Sequence, residues 1–163
     1  MRKISLMLPG IPRTKKTSNR IISFKYWDEK LKRMRSVKKI LPSEAYEEWF
    51  DAAMLYIPGI KRKLREAGIA LPLMGPIHMR ALFYRDAERG DLCGFLQAIG
   101  DLLQESKVAK TGKRKGNIIR VGAGLYGDDS QIISFDGSRL LKDPDKPRIE
   151  VTIEFEEDLL SRV

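Results

Sequence analysis

Three aspartates stand where the chain changes from one local pattern to another. Asp91 opens a helical run, and Asp128-Asp129 immediately precede an apolar, strand-like run. Carboxylates at element ends, far apart in sequence, can converge on one hard divalent cation; Mg²⁺ favours a few carboxylates plus water and phosphate oxygens. Such a site suits phosphodiester hydrolysis. The same residues have an ordinary use, since Asp91 is a good helix N-cap and Asp128-Asp129 are good turn formers. Both uses stay open on residue type alone.

Other chemistry is narrower still. One cysteine, Cys93, excludes an internal disulfide and a cysteine-rich zinc site, and one histidine, His78, excludes a histidine cage. His78 lies within a buried-strand pattern and reads as structural. Gly122-Ala123-Gly124-Leu125-Tyr126-Gly127 fits G-x-G-x-x-G, but no helix pattern follows it, as pyrophosphate binding would require. Dinucleotide binding is rejected.

The elements that must position these residues follow from periodicity. Residues 3–8 read as a first strand, ended by Pro9-Gly10. Residues 11–42 form a basic insert, with a possible hairpin whose arms are 21–27 and 34–40. Its aromatics Phe24, Tyr26 and Trp27 are expected mainly to pack it onto the domain, with base stacking as the lesser use. Ser43 caps a helix that carries Glu44, Glu47 and Glu48 in its first turn, where carboxylates complement the helix dipole. Pro58-Gly59 reads as a break before a short helix over 60–68, and 77–84 reads as a buried strand.

From Asp91 to Gln104, Leu92, Phe95, Leu96, Ile99, Leu102 and Leu103 recur as one helical stripe. Cys93, Gln97 and Asp101 fall on the opposite side, which Gly94 leaves bare. Residues 105–127 read as a long loop with the basic cluster Lys113-Arg114-Lys115. Residues 131–141 and 148–155 read as two strands. The order predicts one α+β domain over 1–163, with a mixed sheet of about four strands and two main helices.

The chain has 163 residues, 42% of them hydrophobic, enough for a core without covalent staples. Its net charge of +9 is unevenly spread. Residues 1–65 hold 17 Lys and Arg against 6 Asp and Glu; residues 66–163 hold 14 against 16. That asymmetry predicts a polyanion partner, nucleic acid before membrane. No apolar run is long enough to span a bilayer, and the opening residues have too short an apolar stretch for a secretory signal. A soluble, cytoplasmic protein is the expectation.

Two segments, Asp91-Leu92-Cys93-Gly94-Phe95-Leu96-Gln97-Ala98-Ile99-Gly100-Asp101-Leu102-Leu103 and Asp128-Asp129-Ser130-Gln131-Ile132, resemble the RusA-type Holliday junction resolvases of bacteria and phage-derived genomes. The opening strand with its LPGIP turn and the Ser43-Glu44-x-Tyr46 helix also resemble that family. The resemblance implies a homodimer that binds branched DNA, such as four-way junctions in recombination or repair. It implies cleavage with Mg²⁺, or Mn²⁺, as an endodeoxyribonuclease. It places Asp91 and Asp129 at the metal, with Asp128 assisting.

Lys15, Lys16, Arg20, Lys113, Arg114 and Lys115 are expected on phosphates, which position DNA without reading its sequence. Two positions depart from the family pattern: Cys93 replaces an aspartate and Gln97 a lysine. A thiolate is a soft ligand, poorly suited to Mg²⁺, and Gln97 brings no positive charge. A rebuilt site would draw on Asp86 or Glu88, which precede the helix, and on a loop lysine. Asp101 lies about 12 Å of helix rise from position 93 and is not expected to substitute. A DNA-binding protein that does not cut is the alternative.

Overall fold

The computed structural model describes residues 1–15 and 20–156. Lys16, one of the cations expected at phosphate, lies outside the described residues. The elements run β1 (Arg2–Pro9), β2 (Arg20–Asp28), β3 (Arg33–Leu41), α1 (Glu44–Met54), α2 (Ile57–Glu66), β4 (Ile77–Arg85), α3 (Leu92–Leu103), β5 (Lys107–Val108), β6 (Ile118–Arg120), β7 (Ile132–Ser134), β8 (Arg139–Lys142) and β9 (Arg148–Phe155). The fold is α+β, built on one mixed five-stranded sheet.

Alternation sets the sheet. In β1, β4 and β9 every second residue is buried, as a sheet with one covered face requires. β9 lies antiparallel between β1 and β4, and the register aligns three buried rows: Ile4–Ile153–Met79, Leu6–Val151–Ala81 and Leu8–Ile149–Phe83. A one-residue slip of β9 would turn all three of its residues to water. These rows share one hydrophobic core with the apolar faces of the three helices. Phe83 and Phe95 bring β4 and α3 together with ring centroids 5.2 Å apart.

The single strand expected over 131–141 is two. β7 and β8 both lie parallel to β4, at its opposite ends, and a turn at Phe135–Ser138 interrupts them. Ala81 N–H, facing that interruption, donates instead to Ser138 Oγ at 3.0 Å, so this buried donor keeps a partner.

The helices follow local chemistry. Ser43 Oγ accepts from Tyr46 N–H at 3.2 Å and starts α1. Pro58 opens α2 rather than breaking the chain, because it stands in the first turn, where its missing N–H has no intrahelical role. This gives the two main helices expected, α1 and α3, and the short one, which begins at Ile57 rather than residue 60. Among the described residues, no helix is long and apolar enough to cross a membrane.

The arms expected at 21–27 and 34–40 pair as β2 and β3, from Arg20 opposite Leu41 to Asp28 opposite Arg33. Packing of this hairpin onto the domain does not occur: between their end residues both strands are exposed. Nor is 105–127 an open loop. β5 and β6 pair within it, and a 3-10 turn at Gly112–Arg114 forms its tip.

Candidate functional site

Helix α3 organises the candidate site. Asp91 begins it as N-cap, its Oδ1 accepting from Gly94 N–H at 2.7 Å. Asp91, Cys93 and Gln97 are exposed in the first two turns, whereas Gly94 is buried. The bare polar side expected at Gly94 is in fact covered by Thr14, whose methyl group would lie 3.2 Å from a Cβ added there. A side chain there would require Thr14 to give by a few tenths of an ångström, so glycine suits the close approach of the 11–15 segment to the helix.

The far end of α3 carries a charge cluster. Asp101 is 8% exposed. Lys15 Nζ donates to its Oδ2 at 2.5 Å, Gln104 Nε2 donates to its Oδ1 at 2.9 Å, and Arg120 Nη1 stands 3.8 Å from Oδ1. Burial of a carboxylate is tolerated here because two cations and an amide meet it. The sequence placed Lys15 on phosphate; the fold places it on Asp101.

The glycine-rich run completes this end. Ala123 N–H donates to Leu102 O at 2.7 Å, Leu125 N–H to Leu103 O at 2.8 Å and Gly124 N–H to Gln104 O at 2.9 Å. Helices end with carbonyls that lack intrahelical partners, and this segment supplies donors at the end of α3. A Cβ at Gly122 would stand 2.1 Å from Gln104 O, so the approach requires glycine. The run is thus a helix-end clasp, in keeping with the rejection of dinucleotide binding.

Tyr126, fully buried, follows and donates its hydroxyl to Gly100 O at 2.9 Å. Burial pushes its phenol well above the ordinary range, reinforced by the negative charges of Asp129, Asp101 and Asp128 and opposed by Arg120. All four charged groups therefore act on one hydroxyl at the second half of α3.

Asp128 and Asp129 lie just beyond. Asp128 caps a 3-10 turn, Asp129–Gln131, and accepts from Ser130 N–H at 3.0 Å, while Gln131 Oε1 accepts from Asp128 N–H at 3.1 Å. Gln131 Nε2 reaches Leu73 O and Gly75 O, at 3.1 and 2.8 Å, and pins the turn to the loop before β4. Hydrogen bonding to Ser130 first, then the adjacent Asp129 side chain and the charge of Arg120, hold the Asp128 carboxyl below the usual carboxylate range.

Asp128 and Arg120 share a cleft of about 690 Å³ with Lys107, Lys110 and Glu105, between the β5–β6 hairpin and the turn. Arg120 Nε–H is buried and has no acceptor. Sequence reasoning missed Arg120. It stands in an unremarkable Ile-Ile-Arg run, and only the pairing of β6 with β5 brings it beside two aspartates.

The expected phosphate contacts divide. Lys113 and Arg114 lie in the tip turn and Lys115 just after it, all three exposed. Arg20 instead braces the base of the β2–β3 hairpin, donating to Glu44 Oε1 at 2.7 Å, Glu47 Oε2 at 2.5 Å and Pro42 O at 3.2 Å. Asp86, a candidate replacement carboxylate, is paired with Arg89 at 3.0 Å. His78 shares a hydrogen bond with Ser134 at 2.8 Å across β4 and β7, the structural use expected of it.

Among the described residues, no three His, Cys, Asp or Glu side chains are grouped so as to hold a metal ion unaided. Mg²⁺ does not require that, since one or two carboxylates with water and substrate phosphate oxygens suffice. Asp128 and Asp129 are exposed, adjacent hard-oxygen donors and fit this manner of binding. The exposed thiol of Cys93 does not. Ten residues of α3, about 15 Å of rise, separate Asp91 from Asp101 at the other end of the site. No known family model matches the chain, and no curated protein matches it.

Proposed function

We propose that this protein is a structure-specific DNA endonuclease that hydrolyses phosphodiesters in branched DNA with the help of Mg²⁺. The observation that carries this reading is the cleft beside the Asp128–Asp129 turn. Two carboxylates, Glu105 and Asp128, and three cations suited to phosphate, Lys107, Lys110 and Arg120, border the same space, with Asp129 next in the chain. A polyanionic substrate and a divalent cation belong together in such a place, because the cation offsets the repulsion between phosphate and carboxylate.

Asp128 and Asp129 would hold the ion; Asp91, the carboxylate that the resemblance to junction resolvases adds, stands at the opposite end of α3, about 15 Å of helix rise from Asp101, and is not grouped with them. When bound, Mg²⁺ supplies an activated water and stabilises charge on the departing oxygen. Arg120, its side chain about one-third exposed on the cleft wall, would take the place of the cation that Gln97 cannot provide and align a phosphate oxygen. Lys113, Arg114 and Lys115, on the outer tip, hold neighbouring phosphates and set the register of the strand. A homodimer would present two such clefts to the two strands cut at a junction.

Purified protein incubated with a labelled four-way junction and Mg²⁺ should nick it, and Asp128→Asn and Asp129→Asn should abolish nicking while binding persists. Undiminished cutting by both variants would overturn the assignment. Arg120→Ala should lower kcat more than it raises KM.

The exposed Cys93 and Gln97 on α3 favour a second reading, a junction-binding protein that does not cut. It predicts salt-sensitive binding without cleavage in Mg²⁺ or Mn²⁺. Under it, Cys93→Asp with Gln97→Lys should confer cutting, marking a decayed site.

A further inference from the structure

The β2–β3 hairpin is the part of the molecule least explained by its own packing. Each strand has nine residues, about 30 Å of reach. A two-stranded ribbon is marginal in water by itself, yet this one exposes large apolar side chains on both faces. Among them are Ile21, Phe24, Trp27, Met34 and Ile40, between 48% and 69% exposed. Its base is fixed by Arg20 to the start of α1, and its tip is built by Asp28, whose Oδ1 accepts from Lys30 N–H and Leu31 N–H. The arm is therefore held at both ends and bare between them.

Residues opposite each other in an antiparallel ladder point to the same face. One face carries, in order from base to tip, Ile21 with Ile40, Ser23 with Lys38, Lys25 with Ser36, and Trp27 with Met34. Ser23 and Ser36 share a hydrogen bond at 2.9 Å across it. Its middle is polar and cationic, and its outer end is a Trp–Met pair, 51% and 56% exposed.

Residues 20–41 hold eight Lys and Arg against two acids. One of those acids, Asp28, is already engaged by the turn and by Arg35 at 3.2 Å. Such a charge opposes docking of a second copy of the same arm and favours a polyanion.

Resting on the DNA reading above, we propose that this arm is a branch-reading wedge. Trp27 and Met34 stack on the base pair laid bare at a DNA branch point, while Lys25 and Lys38 hold the flanking phosphates. Inserting an apolar side chain into continuous duplex requires unstacking a base step, at a cost of a few kcal/mol per step. At a branch the terminal pairs are already exposed, so the wedge favours branched over linear DNA without reading sequence.

The test is binding of the full chain, in EDTA, to a fluorescent four-way junction and to a linear duplex with the same arm sequences. Trp27→Ala with Met34→Ala should weaken junction binding about tenfold or more and leave duplex binding within about twofold. Lys25→Ala with Lys38→Ala should weaken both in parallel and lower the salt slope by about two. Trp27 emission, taken as wild type minus Trp27→Phe, should be quenched by the junction.

Unchanged junction affinity in Trp27→Ala/Met34→Ala, or equal loss on both DNAs, would overturn the wedge and leave the DNA reading standing. Quenching of Trp27 by raised protein concentration without DNA would assign the face to a second copy and overturn it too. Absence of DNA binding by the wild type would bring down both readings together. Circular dichroism of each variant confirms folding, since all four side chains are solvent-facing.

Discussion

Substituting Gly122 tests the tightest joint in the candidate site. The Cβ of Gly122→Ala would stand 2.1 Å from the Gln104 carbonyl oxygen, so the clasp and the end of α3 must part by about 1.3 Å to reach ordinary contact. Three hydrogen bonds of 2.7–2.9 Å join the two segments immediately beside it. A displacement of that size stretches them beyond useful length. At about 1 kcal/mol net for each, the loss is about 3 kcal/mol.

Gly59 provides the contrast, since a Cβ there meets nothing within 4 Å. Alanine in that helix should stabilise by about 0.5 kcal/mol. Urea titration followed by circular dichroism should move the midpoints in opposite directions at constant slope. The melting temperature of Gly122→Ala should fall by about 6–12 °C. Because the clasp leads directly into Tyr126 and Asp128, the proposed endonuclease reading predicts that the variant also loses junction nicking at temperatures where it remains folded. A Gly122→Ala midpoint within 1 kcal/mol of wild type would refute the argument that this contact holds the site together.

Asp101→Ala removes the acceptor of Lys15 and Gln104 and the counter-ion of Arg120 in a partly buried place and should destabilise by about 2 kcal/mol. A double-mutant cycle with Lys15→Ala in urea should return a favourable coupling of about 1 kcal/mol, discounted because Lys15 is one-third exposed. Burial raises the phenols of Tyr46 and Tyr126 above their ordinary value of 10. Their neutral forms therefore stabilise the fold below about pH 10, and that contribution is lost as pH rises further. Absorbance at 295 nm should show both ionising only as the protein unfolds, and a fully native titration of all tyrosines would contradict the burial. Cys93, exposed on α3, should react stoichiometrically with a disulfide reagent in native buffer, and protection by junction DNA but not by duplex would locate the branch along this face.

Much of the fold, and the cap that starts α3, was legible because local chemistry produces it. An aspartate before an apolar helical stripe is an N-cap whatever surrounds it, and Asp91 caps α3. Strict alternation in 148–155 yields β9 with the expected buried face of Ile149, Val151, Ile153 and Phe155. The two expected arms of the basic insert pair as β2 and β3. The places where the reading failed share one cause, competition among distant partners. Lys15 is solvent-seeking in isolation but meets a carboxylate buried 86 residues away. The run over 131–141 has continuous strand propensity, yet Asp136-Gly137-Ser138 turns it and β4 accepts two short pieces. Arg120 carries no local signal because its significance is purely positional.

The sequence by itself determined the α+β class, the alternating strands, the caps of α1 and α3 and the basic character of the N-terminal half, since each depends on neighbours within a few residues. Only the tertiary structure decided which charges remain free. It buried Asp101 under Lys15 and Arg120, put Arg20 to bracing a hairpin, opened a cleft beside Asp128 and left Trp27 and Met34 bare at the end of an arm. Ion pairing and exposure depend on groups brought together across the chain, where sequence spacing no longer measures distance.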